Sequence, residues 1–224
     1  MPPRRAPALS THTGCRMLRL NVSADVADLK RKLSYIEREQ VPFAASMAIN
    51  ETGNDVARAI TAQMDQYLEN PTPFTKAAYI TSKGRFKGKF ANKRNLVAIL
   101  IPGKVQAEYL RFQIAGGTRT PKQKAILVPT RAAPKNQYGN LTKSTRKALI
   151  AGKRDFFSAG AREKKTPGIY KKIGTEEIQP MAFYVDSATY RPIFPIDKIS
   201  AGVVRNRFPK NLQEAIKKAL STAR

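Results

Sequence analysis

The residue types that most often hold metals or attack substrates are scarce in this sequence. It contains one histidine, His12, and one cysteine, Cys15, which lie three positions apart. A metal site built on this pair would need further Cys or His ligands, and the sequence offers none. The pair therefore predicts solvated side chains in a basic N-terminal segment, with neither a metal site nor an internal disulfide.

Carboxylates beside lysines could also hold a catalytic divalent metal, as they do in many nucleases. The candidates are Asp186, the pair Asp197-Lys198 and the pair Glu163-Lys164. Their spacing matches no metal-binding motif, and such neighbours arise by chance in a chain so rich in lysine. Gly116-Gly117-Thr118 lacks the lysine that a phosphate-cradling loop requires. The sequence thus predicts a protein that is not an enzyme and that uses no cofactor and no metal.

What the sequence does offer is positive charge. Lys and Arg number 41 against 16 Asp and Glu, which gives a formal net charge of +25 over 224 residues. Charges of one sign repel one another within a Debye length, so a surplus of this size indicates a polyanionic partner. Nucleic acid, an acidic membrane surface and an acidic protein are the usual choices. For any single basic run, a solvated surface face is the simpler interpretation.

Two features limit how nucleic acid could be bound. Trp is absent and aromatic residues make up 8% of the chain, which argues against a protein that stacks single-stranded bases. No motif for reading bases occurs, so any contact with DNA is expected to involve the backbone alone.

Two basic clusters are the candidate contact surfaces. The denser one occupies 83–94, where cations alternate with Gly or Phe, as in an edge hairpin that has one charged face. The second lies in 143–154. The residues expected to face DNA or an acidic partner are Lys83, Arg85, Lys87, Lys89, Lys93 and Arg94 in the first cluster, and Lys143, Arg146, Lys147, Lys153 and Arg154 in the second.

The elements that must position these cations begin with a helix. An apolar stripe with spacing 4-3-4-3 puts five residues on one helical face, as core or as a subunit contact: Val22, Val26, Leu29, Leu33 and Ile36. Pro42 is expected to kink or break this helix. A second helical pattern follows from Phe43 to Tyr67, and Asn70-Pro71-Thr72-Pro73 ends it.

Beyond Pro73 the pattern changes to shorter elements. Strands are predicted, in chain order, at 78–81, 95–102, 124–129, 168–173 and 180–186, the last two forming an antiparallel hairpin. A short helix or ordered turn is expected over 105–115. A final helix is expected to begin near Pro209 and to carry an apolar stripe of Leu212, Ile216 and Leu220.

Together these patterns predict an α+β fold, in which N-terminal amphipathic helices pack on a mostly antiparallel sheet and a C-terminal helix follows. The division expected is a flexible basic arm over 1–20 and a single domain over 21–224. A polar, basic stretch at about 130–167 is interpreted as a long insertion that contains one short helix, about 142–150. The longest apolar run, 96–101, is too short to span a bilayer, and Pro2 excludes N-myristoylation, so no membrane partner is expected.

Several segments resemble tail-completion proteins of long-tailed phages, the group that includes the lambda-like minor tail protein Z. The segment 41–50, VPFAASMAIN, resembles that family's opening after a first amphipathic helix. The segment 136–141, NQYGNL, followed by 153–158, KRDFFS, resembles an insertion of phage tail and neck proteins. The segment 191–197, RPIFPID, followed by a helix, is similar to the family's ending. The segment 109–112, YLRF, lies where related neck proteins carry a Y-x-x-x-x-E-x-G turn, here without the Glu.

The resemblance implies a structural virion component at the head–tail joint, made in the host cytoplasm and lacking a catalytic site. Such proteins form rings, often six-fold, that cap the tail tube and meet the head-side connector. The partners implied are further copies of the chain, a tail terminator or tube protein, the head-side connector, and packaged DNA contacted through its backbone. A basic surface in such a ring would face DNA phosphates or acidic neighbouring subunits.

Two other functions stay open. A free-standing, sequence-neutral nucleic-acid-binding protein would explain the charge without any assembly, and its binding would depend steeply on salt. A nuclease is the third and weakest hypothesis. It would require metal-dependent cleavage that is lost on Asp186→Ala or Asp197→Ala.

Overall fold

The computed structural model describes residues 18–21, 35–121, 125–152, 155–160, 166–174 and 177–222. Residues 1–17 of the expected arm lie outside these ranges, as do Val22, Val26, Leu29, Leu33, Lys153 and Arg154. The described residues form two compact units. Of these residues, the first unit contains 18–21, 35–63, 75–111 and 195–222, and the second contains 64–74 and those described between 112 and 194. All strand pairs of the described residues lie within one or the other of these units.

The described residues form five helices and nine strands. The helices are α1 (Tyr35–Tyr67), α2 (Pro73–Lys76), α3 (Lys104–Ala115), α4 (Lys143–Ile150) and α5 (Ile196–Thr222). The strands are β1 (Leu18–Asn21), β2 (Gly88–Lys89), β3 (Val97–Leu100), β4 (Gly117–Arg119), β5 (Ile126–Pro129), β6 (Phe156–Ala159), β7 (Gly168–Lys172), β8 (Ile178–Val185) and β9 (Ala188–Tyr190). All the strand pairs formed by these nine are antiparallel. The predicted α+β class, with an N-terminal and a C-terminal helix, is confirmed.

Helix α1 continues through Pro42, so the break expected at that residue does not occur. Proline removes one backbone hydrogen bond and normally costs a helix interior about 3 kcal/mol. Here Val41 and Ala44 on either side of it are buried, and burial of this face outweighs the lost bond. The helix ends at Tyr67, ahead of Asn70 with its φ of 44°, as the Asn-Pro-Thr-Pro run predicted.

The first unit contains a three-stranded sheet in the order β1-β3-β2. In the central strand β3, Ala98 and Leu100 are fully buried, whereas both residues of β2 are exposed at the edge. The strand and the short helix predicted at 95–102 and 105–115 are confirmed as β3 and α3. The stretch 78–81 contributes only a single bridge, between Ile80 and Phe86.

The second unit contains a four-stranded sheet, β5-β8-β7-β6, and a two-stranded sheet, β4-β9. Its core lies between the larger sheet and α4 and consists of Ala133, Leu149, Ile169 and Met181, with Leu127, Leu141 and Phe156 packed against them. Thr142 caps α4 by accepting the Thr145 amide at 3.1 Å. The short helix predicted here and the hairpin of β7 with β8 are confirmed. Residues 156–159 of the expected insertion form β6 and pair with β7, so they belong to the sheet.

Helix α5 begins at Ile196 and passes through Pro209, so the start predicted near that proline is wrong. Proline has no backbone N–H to donate to the Arg205 carbonyl. Because Pro209 is exposed, water can bond that carbonyl instead. The predicted apolar stripe is also wrong in its register, since Leu220 is 56% exposed. In the C-terminal part of the helix the buried face includes Phe208, and its other members are small or polar and give little hydrophobic signal, namely Asn211, Ala215 and Ala219.

Gly88 allows β2 to approach β3 closely. Its φ is 141°, and a Cβ on it would lie 1.8 Å from the Ile99 carbonyl oxygen. Gly84, four residues earlier, also has a positive φ, 73°, but a Cβ there would meet nothing within 4 Å. Substituting Gly84 would therefore introduce backbone strain alone, whereas substituting Gly88 would introduce both strain and a steric clash.

We predict that Gly88→Ala destabilises the protein more than Gly84→Ala does. Both substitutions incur the strain of a positive φ, on the order of 1–3 kcal/mol, and Gly88→Ala adds a clash with the backbone of β3. Urea denaturation followed by circular dichroism should give free energies of unfolding that differ by about 1 kcal/mol or more. Equal losses in the two variants would show that the close approach of β2 to β3 is not required.

Candidate polyanion interface

The basic run 83–94 in the first unit, called here the basic hairpin, pairs with the residues on either side of it: Phe86 bridges to Ile80, and β2 pairs with β3. At its tip the Thr81 amide donates to the Arg85 carbonyl at 2.8 Å, and Gly84 takes a positive φ. At its other end the Asn95 amide donates to the Asn92 carbonyl at 3.1 Å. Because β2 is only two residues long, much of the backbone between these turns must find hydrogen-bond partners outside the sheet.

Two asparagines of α1 supply such partners. Asn50 Nδ2 donates to the Ala91 carbonyl at 2.9 Å, and the Ala91 amide donates to Asn50 Oδ1 at 2.8 Å. One helical turn later, Asn54 Oδ1 accepts the Phe86 amide at 3.0 Å. Positions four apart lie on one helix face, so α1 holds the hairpin at two points. Neither asparagine was among the predicted site residues, and their spacing of four on α1 was the one sequence signal for them.

Aromatic packing fixes the position of Arg85. Phe86 is 1% exposed, and a Cβ on Gly53 of α1 would come within 2.8 Å of its ring. The Phe90 ring lies 4.2 Å from the Phe86 ring between centroids, and the guanidinium carbon of Arg85 lies 4.4 Å from the Phe90 centroid. Cation–π attraction at an exposed site is worth about 0.5–1 kcal/mol. It restrains the guanidinium while leaving its N–H groups able to bind an anion.

Five of the six candidate cations of the basic hairpin are exposed, namely Lys83, Arg85, Lys89, Lys93 and Arg94. No acidic residue occurs between 83 and 94. The charge of the five is therefore not offset by any carboxylate within the hairpin.

Lys87 is the exception. It is half-buried, and its ammonium donates to the Ala77 carbonyl at 2.5 Å. Its interpretation as a DNA- or partner-facing cation is therefore corrected, since it bonds the protein's own backbone. The strict alternation that would give one charged face fails here because the positive φ of Gly88 interrupts the pleat.

The second basic cluster lies on α4, in the second unit. Lys143, Arg146 and Lys147 are exposed, at helical spacings of three and four that give them one face. Leu149 is buried in the core, whereas Ile150 at the helix end is 65% exposed. The candidate cations thus belong to two separate units.

Two acidic residues of α1, Glu51 and Asp55, are engaged by donors of the first unit. The Asp55 side chain, 9% exposed, accepts hydrogen bonds from Arg58 at 2.7 Å, Asn211 at 2.9 Å and Arg207 at 3.1 Å. Glu51 pairs with Arg58 at 2.9 Å. Burial alone would raise the pKa of Asp55, but the hydrogen bonds from Asn211, Arg58 and Arg207 outweigh it and hold that pKa below its ordinary value. The hydrogen bond to Asp55, followed by that to Glu51, raises the pKa of Arg58.

In the part of the chain that the structure describes, the side chains that could bind a metal do not form a cluster. There, no group of three or more His, Cys, Asp or Glu is placed to hold a metal ion. Asp186 and Asp197, the carboxylates considered for a nuclease, belong to different units. His12, Cys15 and Glu163 lie outside the described ranges. Across the same ranges, no helix combines the length and the apolar character needed to cross a bilayer.

We predict that Lys87→Met destabilises the protein, whereas Lys89→Met leaves its stability almost unchanged. The Lys87→Met variant loses a charge-assisted hydrogen bond to a backbone carbonyl, which is worth about 1.5–3 kcal/mol. Lys89 is exposed in the edge strand, where a substitution changes stability by about 0.5 kcal/mol or less. Calorimetry should show the difference as a fall in Tm for Lys87→Met alone. Equal Tm values for the two variants would assign Lys87 to the exposed cationic surface after all.

We predict that Asp55→Asn destabilises the protein at neutral pH and that this loss shrinks in acid. A carboxylate whose native pKa lies below 3.8 contributes its full stability above the pKa of the unfolded chain and loses it as pH falls through the native pKa. Removing one member of this ionic network should cost about 1–3 kcal/mol at pH 7. Urea denaturation from pH 7 down to pH 3 measures the difference, with the exposed Glu214→Gln on α5 as control. A loss that stays constant with pH would contradict the role given to the Asp55 carboxylate.

Comparisons with known proteins yield no relative. No protein-family model matches the chain, and neither a curated protein nor a solved structure matches it. Function therefore has to be inferred from the charges, the contacts and the sequence segments of the chain itself.

Proposed function

We propose that this chain is a structural virion protein of the phage head–tail joint, a tail-completion or neck subunit. In this role it forms a ring that caps the tail tube and joins it to the head-side connector, and it catalyses no reaction. Six is the number of subunits that the family resemblance favours. Its neighbours are further copies of itself, a tail terminator or tube protein and the connector, and its basic surface faces DNA or acidic subunits.

The main support for the proposal is a contact between the basic hairpin and a segment that resembles the phage family. The segment 41–50 resembles the family's opening, and its last residue, Asn50, bonds both backbone groups of Ala91. Ala45 and Ile49 of the same segment are fully buried. The residues that carry the resemblance thus have a physical task, which is to hold a cationic hairpin in place.

The segment 136–141 supports the same proposal. Asn136 Oδ1 accepts the amides of Tyr138 and Asn140, each at 3.0 Å, and Lys135 forms an isolated bridge with Leu141. Most residues of this turn are exposed. A surface turn closed by its own side chain is well suited to contact a neighbouring subunit, because little order has to be gained on binding.

The charge is also consistent with a passage for DNA. A ring around a packaged genome must attract phosphates and still let the duplex move. Exposed Lys and Arg side chains that contact only the backbone meet both needs, because such contacts are the same at every base pair.

A free-standing, sequence-neutral nucleic-acid-binding protein is the second candidate. The five exposed cations of the basic hairpin favour it, because binding a polyanion through them requires no ring. The two functions differ in assembly: the virion protein must oligomerise and enter particles, whereas the free-standing protein binds DNA as a monomer or dimer.

Native mass spectrometry of the purified chain, at low and moderate salt and with or without short duplex DNA, separates the two. We expect a closed oligomer of defined stoichiometry, and we expect peptides of the chain in purified virions. Absence from purified virions would refute the virion role. A monomer that loads DNA stoichiometrically and releases it as salt rises would favour the free-standing protein instead.

A further inference from the structure

We propose that the basic hairpin binds duplex DNA through the phosphate backbone and is not a docking surface for an acidic protein. The inference rests on the proposed function in one respect, because it takes the hairpin's exposed cations as the polyanion-facing surface. It adds the chemical class of the partner, which the net charge leaves open.

The hairpin lacks the apolar centre on which protein interfaces depend. Such interfaces are anchored by aromatic or aliphatic side chains that become buried, with charges confined to the rim. Here Phe86 is already buried within the fold, with only 1% of its surface exposed, and Phe90 is in contact with Phe86 and Arg85. No large apolar side chain between 83 and 94 is exposed. Phosphate contacts need only Lys, Arg and other hydrogen-bond donors, which this surface has.

The cluster on α4 has a different composition. Lys143, Arg146 and Lys147 share their short helix with Ile150, which is 65% exposed. Cations beside an exposed aliphatic side chain are closer to the composition of a protein interface. The hairpin is therefore the better candidate for DNA, and α4, with three exposed cations, provides a control from which an equal number of cations can be removed.

The aromatic rings also favour duplex over single-stranded DNA. Proteins that bind single strands stack bases on exposed rings, which contributes about 1–3 kcal/mol per base. The Phe90 ring already has Phe86 at 4.2 Å and the Arg85 guanidinium at 4.4 Å, so it is not presented to a base. Without stacking, affinity follows charge density, which is higher in a duplex, at one charge per roughly 1.7 Å of helix axis.

The fold holds the hairpin backbone before any ligand arrives. Asn50 bonds Ala91, Asn54 bonds the Phe86 amide, and Lys87 bonds the Ala77 carbonyl. Binding therefore has to order only the cationic side chains, which lowers its entropic cost.

Fluorescence anisotropy with a short labelled DNA duplex, over a series of salt concentrations, tests the inference. The hairpin variant carries Lys83→Gln, Lys89→Gln and Arg94→Gln, and it leaves Arg85 on Phe90 and the structural Lys87 unchanged. The control variant carries Lys143→Gln, Arg146→Gln and Lys147→Gln, which removes the same two lysines and one arginine from α4. Circular dichroism and thermal melting verify that both variants fold.

We expect the hairpin variant to bind the duplex about 10- to 100-fold more weakly at low salt. Each phosphate contact contributes roughly 0.9 to the slope of log affinity against log salt concentration, so three lost contacts lower the slope by about 2.7. The α4 variant should change both quantities much less. Two duplexes of unrelated sequence should bind alike, and a single strand of the same length should bind more weakly.

Four results would overturn the inference. Equal losses in the two variants would assign binding to net charge alone, and tighter binding of the single strand would contradict the argument from Phe90. Polyglutamate that competes as well as the duplex would identify an acidic protein as the partner. A chain found in virions without duplex preference would refute this inference alone, and a chain absent from virions that binds duplex DNA through the hairpin would refute the virion role alone.

Discussion

The first unit depends on hydrogen bonds between side chains of α1 and the backbone of a hairpin that has almost no ladder of its own. The edge strand β2 has two residues, and each buried backbone group left without a partner costs about 1–3 kcal/mol. Asn50 and Asn54 prevent that loss at Ala91 and Phe86. Asparagine weakens a helix interior because its side chain competes for backbone bonds. At these two positions the long-range contacts compensate for the lower helix propensity.

Other polar residues of the same helix form hydrogen bonds and an ion pair with α5, and these contacts engage a carboxylate. Asn211 donates to Thr52 at 3.0 Å and to Asp55 at 2.9 Å, and Arg207 pairs with Asp55. The chain has 16 acidic residues against 41 basic ones, and this acidic residue of α1 is engaged in holding the two helices. No carboxylate occurs within the basic hairpin, so none there reduces the positive potential of its exposed cations. The ionic contacts between α1 and α5 therefore stabilise the unit without neutralising these cations.

Sequence signals were sufficient where the determining chemistry is local. The short helix predicted at about 142–150 is α4, and Thr142 caps it. Lys87 could not be told from its neighbours, because alternation presupposes a regular strand and the φ of 141° at Gly88 interrupts it. The bond between Asn50 and Ala91 joins residues 41 positions apart, a separation on which periodicity carries no information. The cationic content of the candidate surface was thus visible in the sequence, while the contacts that select and hold its members were not.

A fixed cationic hairpin has properties that suit contact with moving DNA. Backbone affinity comes mainly from counterion release and is nearly equal at every phosphate, so it favours no single register along the duplex. Reading bases would instead require side chains matched to base edges, and would hold the DNA at preferred positions. Arg85 is restrained over Phe90, so it loses little freedom when it meets a phosphate. A surface whose rings are committed to the fold and whose cations face outward can attract a duplex without arresting it, as the proposed ring would require.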